Sequence, residues 1–389
     1  MNKVTINLRS LRHNLQQISS VIGRNNATWS VVTKSLCGNQ DILRALQMLG
    51  VHSVADSRLG NLSKIKEAVT EFETWYLRLP HLSAIKSIVS LADISLNSEI
   101  QMIRALGKEA VAQNKVHRVV IMIELGDLRE GILPGSLSDF YETVFEIEGI
   151  EVIGIGAQIG CLTGAMPNED QMAQLGLYRE LLELKFDRKI PIISAGSTIF
   201  LPKLFEGGNY PAVNHYRIGE GLFLGTNLVT GERIEQLLDD VVLLDVEIAE
   251  IKEKQLTSSV ETVGSAPFEG QETNPADQPM PGQRGVRALL TVGHLDTNIS
   301  GLTPLVSEYQ VAGGSSDITV MNLGSNPNRL KLGDTVTFKT NYSAFLGLMN
   351  DPYIEKTVTP SLEEFKSELS KDWNLTVPKT LSDEQMDGS

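Results

Sequence analysis

Cysteine is nearly absent from this chain. Its 389 residues hold two, Cys37 and Cys161. That is too few for a disulfide-stapled secreted domain and fits a reducing, cytoplasmic setting. Long apolar runs are missing as well. No stretch is long enough to cross a bilayer. The opening Met1-Asn2-Lys3-Val4-Thr5-Ile6-Asn7-Leu8 lacks the apolar core of a secretory signal, so none is expected. Positive charge is in deficit: the formal net charge is −14 and the isoelectric point about 5.0. Such a balance argues against nucleic acid or an anionic membrane as the main partner. What is plentiful is apolar side chain, 41% of the residues. That is enough for a large core, in a chain whose length suits two domains better than one.

The order of elements narrows the fold. After a short strand at 4–8, a helix reads from residue 10. Strand patterns then fall at 27–32, 52–55, 74–77, 94–96, 118–123, 151–155, 190–193 and 212–216. Helical patterns separate or follow them at 40–49, 59–68, 84–89, 98–112, 137–147, 171–186 and 197–205. Short apolar strands alternating with amphipathic helices imply a parallel sheet. Eight such strands in about 200 residues match a (β/α)8 TIM barrel, an α/β fold; an open doubly wound sheet is the alternative. Beyond residue 238 the pattern turns mainly to β, at 243–251, 288–292, 318–323 and 335–340. The expected division is a barrel over 10–237 and a β domain over 238–360 joined by the first strand at 1–9. A tail follows over 361–389, opening with a short charged helix. The Pro-, Gly- and Glu-rich stretch 258–285 reads as a long surface excursion.

In a barrel the reactive groups stand at the carboxyl ends of the strands. The first of those ends carries Lys34, with a helix opening behind it. A lysine so placed suits a Schiff base to a carbonyl cofactor, although a strand-end lysine can also simply reach solvent. After the seventh strand comes Ser194-Ala195-Gly196-Ser197-Thr198, small and hydroxylic; after the eighth, Arg217-Ile218-Gly219-Glu220-Gly221. Both loops offer backbone amides to a phosphate, and this is the usual phosphate corner of the fold. Either segment alone could be turn chemistry. With Lys34 they describe one ligand, an aldehyde-bearing phosphate: pyridoxal 5′-phosphate.

Four segments together make a more specific likeness. Val32-Thr33-Lys34-Ser35-Leu36-Cys37-Gly38, Asp56-Ser57-Arg58, Glu124-Leu125-Gly126-Asp127-Leu128-Arg129-Glu130-Gly131 and Arg217-Ile218-Gly219-Glu220 resemble the fold-type III pyridoxal-phosphate enzymes of the alanine racemase family. The chain looks most like the alanine/ornithine racemase branch, and the likeness continues through Gly293-His294-Leu295-Asp296, Gly314-Ser315-Ser316-Asp317 and Asn341-Tyr342-Ser343-Ala344. It implies a racemase that interconverts L- and D-amino acids by two-base transfer of the α-proton. The substrate would be ornithine, another basic amino acid or alanine.

By position, Lys34 would carry the cofactor and act as one base. Arg129 would face the cofactor's phenolic oxygen and the substrate carboxylate, and Arg217 the pyridine nitrogen. Ser197, Thr198 and the backbone of Gly219 and Glu220 would hold the phosphate, with Tyr342 also reaching it. Ser316, with Asp317 beside it, would lie at the substrate carboxylate. Departures mark the chain as its own variant. Gln158 stands where many relatives have a histidine against the ring, Met122 where many have a carbamylated lysine, and His294 where a catalytic tyrosine is usual. His294 is therefore the candidate second base. The other histidines, His13, His52, His81, His117 and His215, read as structural. The likeness also implies a homodimer whose β domain closes the partner's barrel, giving shared active sites. No metal is expected. Alternatives of the same fold are a decarboxylase, a metal-assisted lyase, a cofactor carrier or a binder that has lost catalysis.

Overall fold

The computed structural model describes residues 2–160, 166–256, 280 and 282–371. Cys161, most of the 258–285 stretch and the tail beyond Lys371 lie outside the described residues. The chain divides into two compact units. One comprises Arg12–Leu238 with the segment from Glu363; the other comprises Met1–Leu11 with Asp239–Leu362.

The chain begins with β1 (Lys3–Asn7) and α1 (Leu8–Gly23). Eight parallel strands then close a barrel: β2 (Thr28–Val32), β3 (Ser53–Asp56), β4 (Glu73–Tyr76), β5 (Ile94–Asn97), β6 (His117–Ile123), β7 (Ile150–Ala157), β8 (Ile192–Gly196) and β9 (His215–Ile218). The ring shuts where β9 pairs with β2, Thr28 beside His215 and Ser30 beside Arg217. Strands β3, β5 and β9 are buried at every residue, as strands covered on both faces must be. Val32, Ala55, Trp75, Leu96, Val120 and Met122 belong to one apolar cluster. The intervening helices present apolar residues at helical spacing. In α2 (Gln40–Met48), capped by Asn39, the buried residues are Ile42, Leu43, Ala45 and Leu46.

Two strands lie later than their sequence patterns suggest. The 190–193 pattern is realised as Ile192–Gly196 and the 212–216 pattern as His215–Ile218. Pro191 has no amide to give a ladder. Asn214 instead brackets the entrance, donating to Pro191 O at 2.7 Å and accepting from Ile193 N at 2.7 Å. The shift has a consequence: Arg217 becomes the third residue of a strand, on the same face as His215. The single helix expected at 197–205 is a 3-10 turn at Thr198–Phe200 followed by α8 (Leu201–Phe205).

The second unit is a mainly antiparallel sheet. It contains β1, β10 (Val242–Gln255), β11 (Arg284–Leu290), β12 (Leu302–Pro304), β13 (Gln310–Gly314), β14 (Thr319–Asn322), β15 (Thr335–Thr340) and β16 (Glu355–Thr359). Its path runs β12-β15-β10-β11-β14-β13. Strand β1 adds to it, antiparallel to β10 and parallel to β16. Residues 242–248 of β10 alternate buried and half-buried, the signature of a sheet with one covered face. Strands β12, β13 and β16, and the helix α10 (Tyr342–Asn350), were not foreseen from sequence. The charged helix expected after residue 361 is α11 (Leu362–Lys371).

Candidate functional site

Lys34 stands two residues beyond the end of β2, at the start of a short 3-10 turn. Thr33 precedes it, bonded to the neighbouring strand through Ala55 O at 2.9 Å and to Asp56 Oδ2 through its hydroxyl at 3.0 Å. Asp56 is fully buried. It also accepts from Arg58 N at 2.9 Å and from Asn61 Nδ2 at 3.1 and 3.2 Å. Burial raises its carboxyl above the usual range and those donors oppose the rise. Asp56 thus fixes the backbone on which Lys34 stands. The lysine has an electrostatic neighbour in Glu220, the residue after β9 and Gly219. Burial pushes the Glu220 carboxyl up to about 7, and the Lys34 charge works against that.

Arg217 is 5% exposed. Its Nη1 donates to Ser194 O at 2.7 Å and to the Ser194 hydroxyl; its Nη2 donates to Ala157 O and to Gln158 Oε1, both at 3.1 Å. The acceptors come from the middle of β8 and the end of β7, so the guanidinium is held against two neighbouring strands. Gln158 stands beside it.

The loops after β8 and β9 are tied together, because Gly221 N donates to Thr198 Oγ1 at 3.2 Å. Each begins a short helical turn, whose first amides have no acceptor in their own turn. Backbone approach is close here. A Cβ on Gly219 would lie 3.1 Å from both Val32 Cβ and Val32 O, and one on Gly221 2.6 Å from Leu201 Cδ1. Ser197, Thr198, Gly219 and Glu220 therefore form an amide- and hydroxyl-lined corner beside Lys34's strand. A lysine amine, a buried donor-only arginine and a corner lined by amides and hydroxyls fit pyridoxal 5′-phosphate.

Arg129 lies in the excursion after β6. The Glu124 carboxylate gathers this loop by accepting from the amides of Gly126, Leu128 and Arg129, at 2.5, 3.1 and 3.1 Å. Gln171, in the first turn of α7 (Glu169–Phe186), donates to Leu125 O at 2.6 Å. Gly131 has φ +146°, and a Cβ there would meet Glu124 N at 2.3 Å, so glycine is required. The Arg129 guanidinium lies against Glu130 as an ion pair, and Asp127 is buried. Met122 is packed in the barrel core.

The second unit assembles its own cluster. His294 N donates to Ser315 O at 3.0 Å and Leu295 N to Ser316 O at 2.9 Å. These bonds zip the 293–297 loop to the 315–317 turn. Asp296 Oδ2 accepts from Gly293 N at 2.8 Å. Burial raises the Asp296 carboxyl; that amide lowers it, and Asp351 and Asp317 add to the rise. His294, Asp296, Asp317, Ser343 and Tyr353 line a cavity of about 860 Å³. Tyr342 opens α10, capped by Asn341, which accepts from Ala344 N at 2.9 Å. Among the described residues no group of side chains could hold a metal ion, and no helix is long and apolar enough to cross a membrane.

Ser194, read from sequence as part of a loop offered to phosphate, instead lies inside β8 and bonds Arg217 and His215. Those contacts were foreshadowed by spacing alone: in a strand, residues two apart share a face, and His215 and Arg217 are two apart.

Residues 6–227 match the family model of the alanine racemase N-terminal domain. The chain is 33% identical over 357 residues to an ornithine racemase of Acetoanaerobium sticklandii, covering 91% of this chain and 98% of that protein. It is 28% identical over 362 residues to a lysine racemase of Thermotoga maritima, covering 92% and 99%. Among solved structures it is similar in fold to an alanine racemase of Bartonella henselae with covalently bound pyridoxal phosphate. The TM-score there is 0.66 and the identity 13%, over 92% of this chain and 99% of that one. The chain belongs to the alanine racemase family.

Proposed function

We propose that this member of the alanine racemase family is a pyridoxal-phosphate-dependent amino-acid racemase. We take its substrate to be a basic amino acid, ornithine first, and its setting to be cytoplasmic. The observation that carries the reading is Arg217, buried and held by acceptors of two neighbouring strands, in a barrel whose first strand leads into Lys34. Bound pyridoxal phosphate supplies the electron sink that acidifies the α-hydrogen.

The chain's own groups supply the rest. Lys34 carries the cofactor and moves the proton on one face of the α-carbon. Arg217, which can only donate, would face the pyridine nitrogen of the bound cofactor without protonating it, and so would favour return of the proton to the α-carbon. Ser197, Thr198 and the amides of Gly219 and Glu220 hold the phosphate, with Tyr342 reaching it as well. Gln158 steadies Arg217 beside the ring. Arg129 and Ser316, with Asp317 adjacent, address the substrate carboxylate. His294 serves as the second base, since an imidazole can both accept and return a proton. It acts from a partner subunit in a homodimer with shared sites. The names of the two relatives and the acidic residues Asp296, Asp317 and Asp351 around the His294 cavity support a cationic side chain.

Chiral chromatography of the twenty amino acids and ornithine, each incubated with holoenzyme, tests this. Interconversion of L- and D-ornithine or lysine is expected. If none of them racemises, the proposal fails.

A further inference from the structure

Arg217 does not hold its position alone. Its hydrogen bond to the Ser194 hydroxyl fixes the direction of a longer chain, because arginine only donates. The Ser194 hydroxyl accepts there, so its own proton goes to its other partner, His215 Nδ1, at 2.8 Å. Nδ1 is then an acceptor, and the ring carries its proton on Nε2. Burial, with the nearby Arg217 charge, lowers His215 to about 3 and keeps it neutral. Nε2 donates to Ser30 Oγ at 3.0 Å. Ser30 in turn donates to Ser53 Oγ at 2.7 Å, and Ser53 donates to Glu73 Oε2 at 3.3 Å. Every hydrogen points the same way, from a guanidinium on β9 to a carboxylate at the start of β4.

The chain is dry and braced along most of its length. Ser30 and Ser194 are 0% exposed, His215 4%, and Ser53 and Arg217 5%. The Trp75 indole stacks on His215 with ring centroids 4.3 Å apart and planes within 7°. Glu73 also accepts from Trp75 Nε1 and Arg118 Nη1, each at 3.0 Å. If these groups did no more than satisfy one another, as buried polar groups must, a consistent direction ending in a charge would be incidental.

We propose that His215 is a positioning residue for Arg217, and that the one-way chain Arg217–Ser194–His215–Ser30–Ser53–Glu73 sets how strongly the guanidinium donates at the ring nitrogen of bound pyridoxal phosphate. The proposal rests on the reading that Arg217 meets that nitrogen. Hydrogen bonds in series polarise one another at low local dielectric. The Glu73 carboxylate thereby makes the Ser194 hydroxyl a stronger acceptor. The guanidinium is drawn towards Ser194 and is a softer donor to the cofactor, so the ring nitrogen stays unprotonated.

Nitrogen-15 NMR tests both levels. In protein without cofactor, labelled at histidine, His215 is expected in the Nε2–H form throughout the neutral range; an Nδ1–H form overturns the chain's direction and the proposal with it. In holoenzyme carrying ring-labelled pyridoxal phosphate, Glu73→Gln and His215→Phe should each move the ring-nitrogen signal towards that of a protonated ring. The movement should have the same sign as in Arg217→Glu and be smaller. Phenylalanine preserves the stack on Trp75. Should that variant not fold, Glu73→Gln, at a half-exposed residue, carries the test. Turnover should fall about tenfold in both, with KM within about twofold of the parent. A signal that moves with Arg217→Glu and stays fixed in the other two overturns the relay and leaves the Arg217 reading intact. A signal indifferent to Arg217→Glu overturns that reading and the relay that rests on it.

Discussion

In the barrel, the groups of the candidate site are mostly strand residues or follow a strand directly. Arg217 and Ser194 lie inside β9 and β8, nearly or fully buried, each bonded across to a neighbouring strand. In the β unit, His294, Ser316 and Asp317 lie in loops between strands, half-buried or exposed, and His294 and Asp317 line an open cavity. A strand residue is fixed by two flanking strands, and moving it disturbs the whole ring. A loop residue can be exchanged while the sheet beneath it stays put. The comparison teaches a difference in stiffness: the barrel's candidate residues sit where geometry is fixed, and those of the β unit sit where it can vary.

The largest expected effect lies on the stiff side. Lys34→Ala should remove the yellow cofactor band and lower racemisation by on the order of 10⁴-fold or more, read by absorbance and chiral chromatography. A Lys34→Ala protein that still forms a borohydride-reducible imine would break the assignment.

His294→Ala comes next, on the loop side, with a loss of roughly 10²–10⁴-fold, the range of a general acid or base. The loss should be lopsided. In deuterium oxide the enantiomer deprotonated by Lys34 should still exchange its α-hydrogen, while the other should not. Mixing this variant with Lys34→Ala should restore some activity if sites are shared across a dimer. Equal exchange of both enantiomers would move the second base elsewhere, with Asp296 or Ser316 next to test.

Acid should separate the two regions more gently. His215 and His117 are buried in the barrel and lowered to about 3 and about 4 from 6.5. The unfolded chain therefore takes up protons near pH 6.5 that the folded barrel refuses. Their contribution to stability is present above about pH 6.5 and is lost as pH falls towards 4 and then 3. Denaturant melts between pH 7 and 4 should show this decline, and His117→Phe should flatten it. An unchanged slope in that variant counts against a neutral His117.

The smallest effect concerns the cap of α10. Asn341→Ala removes the acceptor for Ala344 N and should cost about 1 kcal/mol. Calorimetry would register it as a modest drop in Tm, and no drop would mean that the cap contributes nothing.

How much of this was legible in sequence follows from the range of the forces. The barrel strands announce themselves because burial on both faces favours short apolar-rich runs, as in 119–123. Lys34 was legible because a strand end followed by a helix start is a local pattern. Strand β16, Glu-Lys-Thr-Val-Thr, was not, because its order comes from pairing with a segment far away in sequence. The five-residue α9 (Glu220–Leu224) is too short for a periodic signal. Helix α10 is mostly apolar around its circumference and gives little contrast between faces. The relay through His215 was hidden for another reason: serines in barrel strands look like ordinary filler until their partners are seen.

The placement of β1 also orders events in time. Its partner in β16 lies 352 positions away, whereas every strand of the barrel falls between Thr28 and Ile218. A nascent chain emerging at roughly 5–20 residues per second has all eight barrel strands outside the ribosome well before β16 is made. The first strand to be synthesised thus waits for both its neighbours, β10 first and β16 later, and one of its edges stays unpaired for on the order of tens of seconds. The alternating Lys-Val-Thr-Ile-Asn of β1, with only Val4 and Ile6 apolar, gives a waiting strand little to aggregate with.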